Sequence, residues 1–152
     1  MKRQQRTVGA VVRIDLGNGQ FSFARILDKA NYAFYDVITR DKDTGINAIL
    51  DRPILFILSV YNDVVTKGLW EKVGYAPLEN ALKILPKKYI QDKHTGKVEL
   101  YDTNTGIITP SSLDQVAGLE CAAVWESNHV EERIRDHYAN RPNVWVAQLS
   151  IK

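Results

Sequence analysis

The stretch Val8–Leu27, VGAVVRIDLGNGQFSFARIL, limits what this chain can become more than any other. Two β-rich runs flank Gly17-Asn18-Gly19. In the first, Val12, Ile14 and Leu16 alternate with Arg13 and Asp15. Asn-Gly between such runs is the strongest short-range signal for a tight antiparallel hairpin. A chain that opens this way is expected to be a small, mostly antiparallel β protein. Phe21 and Phe23 read as core residues, and Arg25 shares their parity. A bulge near Ala24 that resets the alternation is the expected explanation; an inward arginine with a partner is the other.

The remaining chain continues the β pattern. Ala30–Ile38 is aromatic and β-branched, a third strand, and Arg40–Arg52 reads as a polar loop. Pro53–Tyr61 is apolar on both parities, which predicts a strand covered on both faces and the most buried element of the chain. Asn62 and Gly68 bracket a short helical turn, and Leu69–Gly74 reads as another strand. A helical turn is expected between Pro77 and Pro86, and a meander over Tyr89–Ile108. Asp41–Gly45, Asp92–Gly96 and Asp102–Gly106 share one spacing: Asp opens a turn through its side chain and Gly closes it with positive φ. Ser112 is placed to cap a turn over Leu113–Val116. Leu119–Trp125 fits strand or helix. Asn128–Tyr138 reads as the one long helix, with Asn128 and Glu131 as a capping pair and with Val130, Ile134, His137 and Tyr138 on its apolar face. Glu131 and Glu132 are expected on its solvated side. Val144–Ile151 alternates as a closing strand.

A chain of 152 residues fits a single domain, residues 1–152, with residues 1–7 as a flexible basic tail. A net charge of +2 is too small to call for nucleic acid. One cysteine excludes an internal disulfide and suits a reducing compartment. No apolar run reaches the roughly 18 residues of a membrane span or the form of a signal peptide. A cytoplasmic location is expected.

No catalytic constellation emerges. The Asp41 and Asp102 loops have the first spacings of a calcium loop, but Arg52 and Leu113 stand where an EF-hand needs its twelfth-position Glu. Cys121 has His129 and His137 downstream, yet its apolar surroundings fit a buried, inert thiol better. The histidines lack zinc spacing, Gly17-x-Gly19 lacks a third glycine and a following helix, and no serine elbow occurs. The tryptophans, Trp70, Trp125 and Trp145, read as core or rim residues. No enzyme activity, cofactor or metal is therefore expected.

One set of residues carries a resemblance. It comprises Gly9-x-Val11-Val12-x-Ile14-x-Leu16, Gly19-x-Phe21-x-Phe23-Ala24-Arg25-Ile26-Leu27, Pro53–Phe56 with Val60-Tyr61, Gly68-Leu69-Trp70, Val73-Gly74 and Pro77-Leu78. It continues with His129–Ile134, Asp136-His137-Tyr138 and Pro142–Trp145. In order and spacing this set resembles the immunity protein 26 family of bacterial polymorphic toxin systems. The resemblance implies a cytoplasmic protein that binds a cognate toxin domain and blocks it without chemistry of its own. It hands over no catalytic residues and does not say which toxin is neutralised. The slight basicity argues against whole-molecule charge mimicry, so a local acidic patch of Asp36, Asp41, Asp43 and Asp51 is the expected partner-binding site.

The expected fold is α+β and mainly β: a strongly bent antiparallel sheet or partly closed barrel with a C-terminal helix packed on it. The expected function is stoichiometric toxin neutralisation by occlusion. The alternative is a small β-barrel nucleic-acid-binding module, resting on the basic tail and on Tyr32 or Tyr35 as exposed aromatics; a hydrolase comes third.

Overall fold

The computed structural model describes residues 2–152. It is α+β and mainly β, with nine strands in two sheets and six short helices. In chain order these are β1 (Ala10–Gly17), β2 (Gln20–Ile26), β3 (Asn31–Tyr35), α1 (Ile46–Leu50), β4 (Ile54–Val60), α2 (Asp63–Thr66), β5 (Glu71–Tyr75) and α3 (Asn80–Lys83). Then follow β6 (Lys88–Gln91), β7 (Val98–Tyr101), β8 (Ile108–Pro110), α4 (Leu113–Val116), β9 (Val124–Trp125), α5 (Ser127–Tyr138) and α6 (Val144–Leu149). The large sheet runs β5-β1-β2-β3-β4-β9, curved but not closed into a barrel, and the small sheet runs β6-β7-β8. Every pairing is antiparallel except β4 with β9. Among the described residues no helix is long and apolar enough to cross a membrane.

The opening hairpin forms as its turn chemistry dictates. Gly17, Asn18 and Gly19 all take positive φ, and the Asp15 carboxylate accepts from the Gly17 N–H at 2.8 Å. The expected bulge at Ala24 is absent, however. Val11, Val12 and Arg13 pair in unbroken register with Arg25, Ala24 and Phe23. Arg25 therefore does point inward, fully buried beside Val11 and Phe23. Its Nε donates to the Gly9 carbonyl at 2.6 Å. Its Nη2 donates to the Ala76 and Pro77 carbonyls at 2.6 and 2.9 Å. Its Nη1 reaches the Tyr35 hydroxyl at 3.1 Å and Glu79 at 3.3 Å. A rigid fork of donors meets enough oxygens here to offset desolvation.

Burial on both sides of β1–β3 explains why this region leads the fold. One face carries Val12, Ile14, Ala24, Ile26, Tyr32 and Phe34, packed with Trp70 under Val130 and Ile134 of α5. The other carries Val11, Phe23 and Tyr35, covered by Ile49 of α1. Each of the Val, Ile and Phe side chains among them contributes roughly 1.5–3 kcal/mol relative to exposure. Tyr32 and Tyr35 are thus core residues, not the exposed aromatics of a nucleic-acid platform. The most buried strand is β3, in the middle of the sheet, rather than β4. Only Ser59 and Val60 of β4 pair with its two-residue neighbour β9, and Ile54–Ile57 beyond it are only half-buried.

Other expectations are corrected. The Arg40–Arg52 loop contains α1, and Gly45 precedes it with φ of −65°, whereas Gly96 and Gly106 close their turns at +73° and +79°. The closing segment is helix α6, not a strand. Asn143 caps it by accepting from the Val146 N–H at 2.9 Å, and the local bond outweighs the alternating pattern. The long helix starts at Ser127 with Glu126 as its cap, so Asn128 and Glu131 form no capping pair. His137 is exposed rather than packed in the core. The N-terminal segment, expected as a tail, is tied down from Gln4 onward. The Gln4 amide donates to the Val65 and Trp70 carbonyls and accepts from the Lys72 N–H, and Arg6 reaches the Tyr32 hydroxyl and the Asn31 carbonyl.

Candidate partner-binding surfaces

The four aspartates nominated from sequence lie on or beside the segment that roofs one face of the large sheet. Ile46, Ile49 and Leu50 of α1 pack down onto Val11, Phe23 and Tyr35, which turns the polar positions of the segment outward. Asp41, Asp43 and Asp51 are exposed. The Asp41 carboxylate accepts from the Asp43 N–H at 2.9 Å, shaping the loop. Arg13 donates to the Lys42 carbonyl at 3.1 Å and pairs with Glu71 at 2.8 Å. Asp36 differs from the other three: its carboxylate accepts from the Tyr138 hydroxyl at 2.7 Å and its carbonyl from Arg52 at 3.0 Å. Burial, followed by the hydrogen bond to Asp36 and then the Asp36 charge, pushes the Tyr138 hydroxyl well above its ordinary range. Asp36 thus fastens α5 to the sheet. Arg40, Lys42 and Arg52 interleave with the acids, so the surface carries mixed charge.

A second surface, missed in the sequence, lies along β9 between α5 and α6. The Trp145 indole donates to Glu132 at 2.7 Å and its ring stacks on His129 at 3.6 Å. Trp70 donates to Glu131 at 2.9 Å from the core side. The two adjacent carboxylates each hold an indole instead of facing solvent. Burial keeps the Glu131 carboxyl above its usual value, and the Trp70 bond offsets part of that. Arg133 grips Glu120 through two bonds of 3.0 and 2.9 Å and lies over the Phe56 ring at 4.0 Å. Beside this cluster a crevice of about 280 Å³ is lined by Tyr61, Val124, Trp125, His129, Trp145 and Leu149. A neighbouring crevice of about 270 Å³ shares Trp125 and Leu149 and extends to Tyr89, Cys121 and Val146. Tyr61, Val124, Val144 and Val146 are exposed, giving an apolar band on a sheet edge whose last strand has only one neighbour. The available signal was Asn143 after Pro142, three residues before Val146, which marks a helix start and turns Trp145 and Leu149 to one side.

The groups with chemical potential are not gathered. Cys121 is half-buried, and burial raises its thiol above the usual range. Tyr89, its partner in an isolated β-bridge, has its hydroxyl bonded to the Leu149 carbonyl and pushed up to about 12, mainly by burial. His129 is stacked on Trp145, His137 stands edge-on to Tyr138 at 5.0 Å, and His94 is in an exposed turn. The Asp92 and Asp102 carboxylates accept backbone N–H bonds of their own turns, which hold both below the ordinary carboxylate range. Among the described residues no three His, Cys, Asp or Glu side chains are grouped as a metal site requires.

A family model described as Immunity protein 26 matches residues 7–100, more than half of the chain. The match spans β1 to β7 and ends before β9 and the two C-terminal helices. No curated protein and no solved structure matches the chain.

Proposed function

We infer the function from one fact: the chain belongs to the Immunity protein 26 family. It binds the toxin domain of its own polymorphic toxin system in the cytoplasm, one to one, and covers the toxin's active or target-binding surface. It acts by occupancy, with no reaction of its own. The family match is the observation that carries this reading. Two surfaces support it. Asp41, Asp43 and Asp51 are exposed over a roof that α1 pins to the core, so a partner meets them already placed. Asp36 belongs to this surface as the residue that fixes its edge through Tyr138. The apolar band along β9 offers the desolvated centre that protein interfaces need, with charged residues around it.

Growth rescue tests the reading. Any candidate toxin domain found encoded beside this gene is expressed with and without this protein, and the two are then co-purified. Restored growth together with a one-to-one complex is the expected result. Unrelieved toxicity, or rescue with no complex, overturns neutralisation by binding.

A further inference from the structure

Two cross-strand rows meet between the sheets. In the large sheet Asn31 pairs with Ser59, and Ser59 with Val124. In the small sheet Lys88 pairs with Tyr101, and Tyr101 with Ile108. Directly paired residues share a face, so each row is a line of side chains on one side of its sheet. The rows confront each other where the Lys88 ammonium donates to Asn31 Oδ1 at 3.0 Å and Ser59 Oγ at 2.9 Å. Their inner ends are polar. Their outer ends are Val124 and Ile108, 48% and 49% exposed. Between them opens a crevice of about 270 Å³, walled by Ser59, Lys88, Ile90, Tyr101, Ile108 and Val124.

Lys88 is the anomaly. It is 2% exposed, yet among the described residues it makes no ion pair. Buried ammonium groups ordinarily stand against a carboxylate. The acid closest in influence, Glu120, is committed to Arg133. Lys88 instead meets two neutral oxygens, and an ammonium has three donors, so one remains to be offered. Burial holds the lysine below its ordinary range, with Glu120 offsetting only part.

We propose that this crevice is a carboxylate-binding site: the acid sits on the Lys88 ammonium, beside a Ser59 hydroxyl that donates to Asn31 Oδ1 at 3.4 Å, and its apolar carrier lies between Ile90, Tyr101, Ile108 and Val124. One cation with apolar walls suits a monoanion, because a phosphate dianion is met by several donors or by an arginine fork. The volume lies near the lower limit of small-ligand pockets, which fits one short or aromatic acid, or one acidic side chain or chain terminus of a bound protein. The chemistry is the same from either source and does not depend on the immunity reading.

The test is an NMR titration of the full chain with benzoate, and with benzamide as its neutral isostere. Expected are saturating shifts centred on Ser59, Lys88, Tyr101 and Val124, with a Kd below about 10 mM. Benzamide binds at least about tenfold more weakly, and K88M loses about tenfold while K88R retains binding. Equal binding of benzamide, shifts elsewhere, or no saturation overturns the site; the benzoate-to-benzamide comparison holds even where K88M does not fold. A second arm assigns the source. Competition of benzoate with the toxin domain, with weaker toxin capture by K88M, places the acid on the toxin. Benzoate binding that leaves toxin capture unchanged identifies a free acid as the ligand.

Discussion

The six-stranded and three-stranded sheets are held by different kinds of contact. Strands β1–β3 of the large sheet are buried on both faces, against α5 on one side and α1 on the other. The small sheet has one apolar cluster, around Tyr89, Val98 and Val116, and its edge strand β8 is exposed throughout. Its links to the rest are largely polar. Asn104 clamps the Leu85 backbone at both its N–H and its carbonyl, at 2.8 and 2.9 Å. Thr103 donates to the Pro86 carbonyl at 2.7 Å, and Lys88 crosses to Asn31 and Ser59. Apolar burial scales with area and is indifferent to direction, whereas each hydrogen bond adds only about 1 kcal/mol net and demands geometry. The large sheet is therefore the source of stability, and the small sheet is a positioned surface.

The sharpest way to break this contrast is Arg25→Leu. It leaves the Tyr35 hydroxyl and the Ala76 carbonyl without their partner under the large sheet, while the Gly9 carbonyl keeps the Ala76 N–H and the exposed Glu79 carboxylate returns to solvent. A loss of about 2–5 kcal/mol is expected in denaturant unfolding, from two unsatisfied polar groups at about 1–3 kcal/mol each. A loss under about 1 kcal/mol would show that apolar packing alone holds residues 9 and 76–79 in place.

Asn104→Ala should cost less, about 1–3 kcal/mol, and act locally. Hydrogen exchange should speed up over residues 88–110 while residues 10–35 keep their protection. Equal loss in both sheets would mean that they unfold as one unit.

A smaller effect is expected from Glu131→Gln, which keeps an acceptor for the Trp70 indole and removes the half-buried charge. The folded pKa of Glu131 is raised by burial, so the native state holds its proton longer than the unfolded state. Its contribution is fully present below the unfolded value and is lost as pH rises through the folded one. The variant should flatten the fall in stability over that window, read as melting temperature against pH. An unchanged profile would contradict the burial.

The smallest stability change belongs to the triple variant Asp41→Lys, Asp43→Lys and Asp51→Lys. All three residues are exposed, and a loss within about 1 kcal/mol is expected, most of it from the Asp41 bond to the Asp43 N–H. Toxin capture should nevertheless weaken by at least about tenfold if this roof faces the partner. Unchanged capture would leave the band along β9 as the surface that binds.

Reading from sequence worked where local chemistry agreed with the final fold. The Asn18-Gly19 turn, the Ser112 cap and the Asp92 and Asp102 turns each depend on atoms a few residues apart. It failed where distant groups outweighed local pattern. Arg25 looked misplaced in a core face because its carbonyl partners at residues 76 and 77 lie some fifty positions away in sequence. Glu131 and Glu132 looked solvated because nothing local announces that Trp70 and Trp145 will reach them. The alternation of residues 144–151 was real, but Asn143 and the packing of Trp145 made a helix of it.

The sequence by itself determined a mainly antiparallel β protein with one long helix, opened by a hairpin, and it carried the family signature. Both are written in nearest-neighbour terms: turn residues, alternation, and the order of short motifs. Tertiary structure alone decided that Arg25 is a buried clasp and that β9 joins β4 in parallel. It alone set Lys88 across from Asn31 and Ser59 with no ion pair among the described residues. Those outcomes depend on which groups are brought together after the sheets form, where the low dielectric of the interior makes each unmatched charge or unpaired carbonyl count.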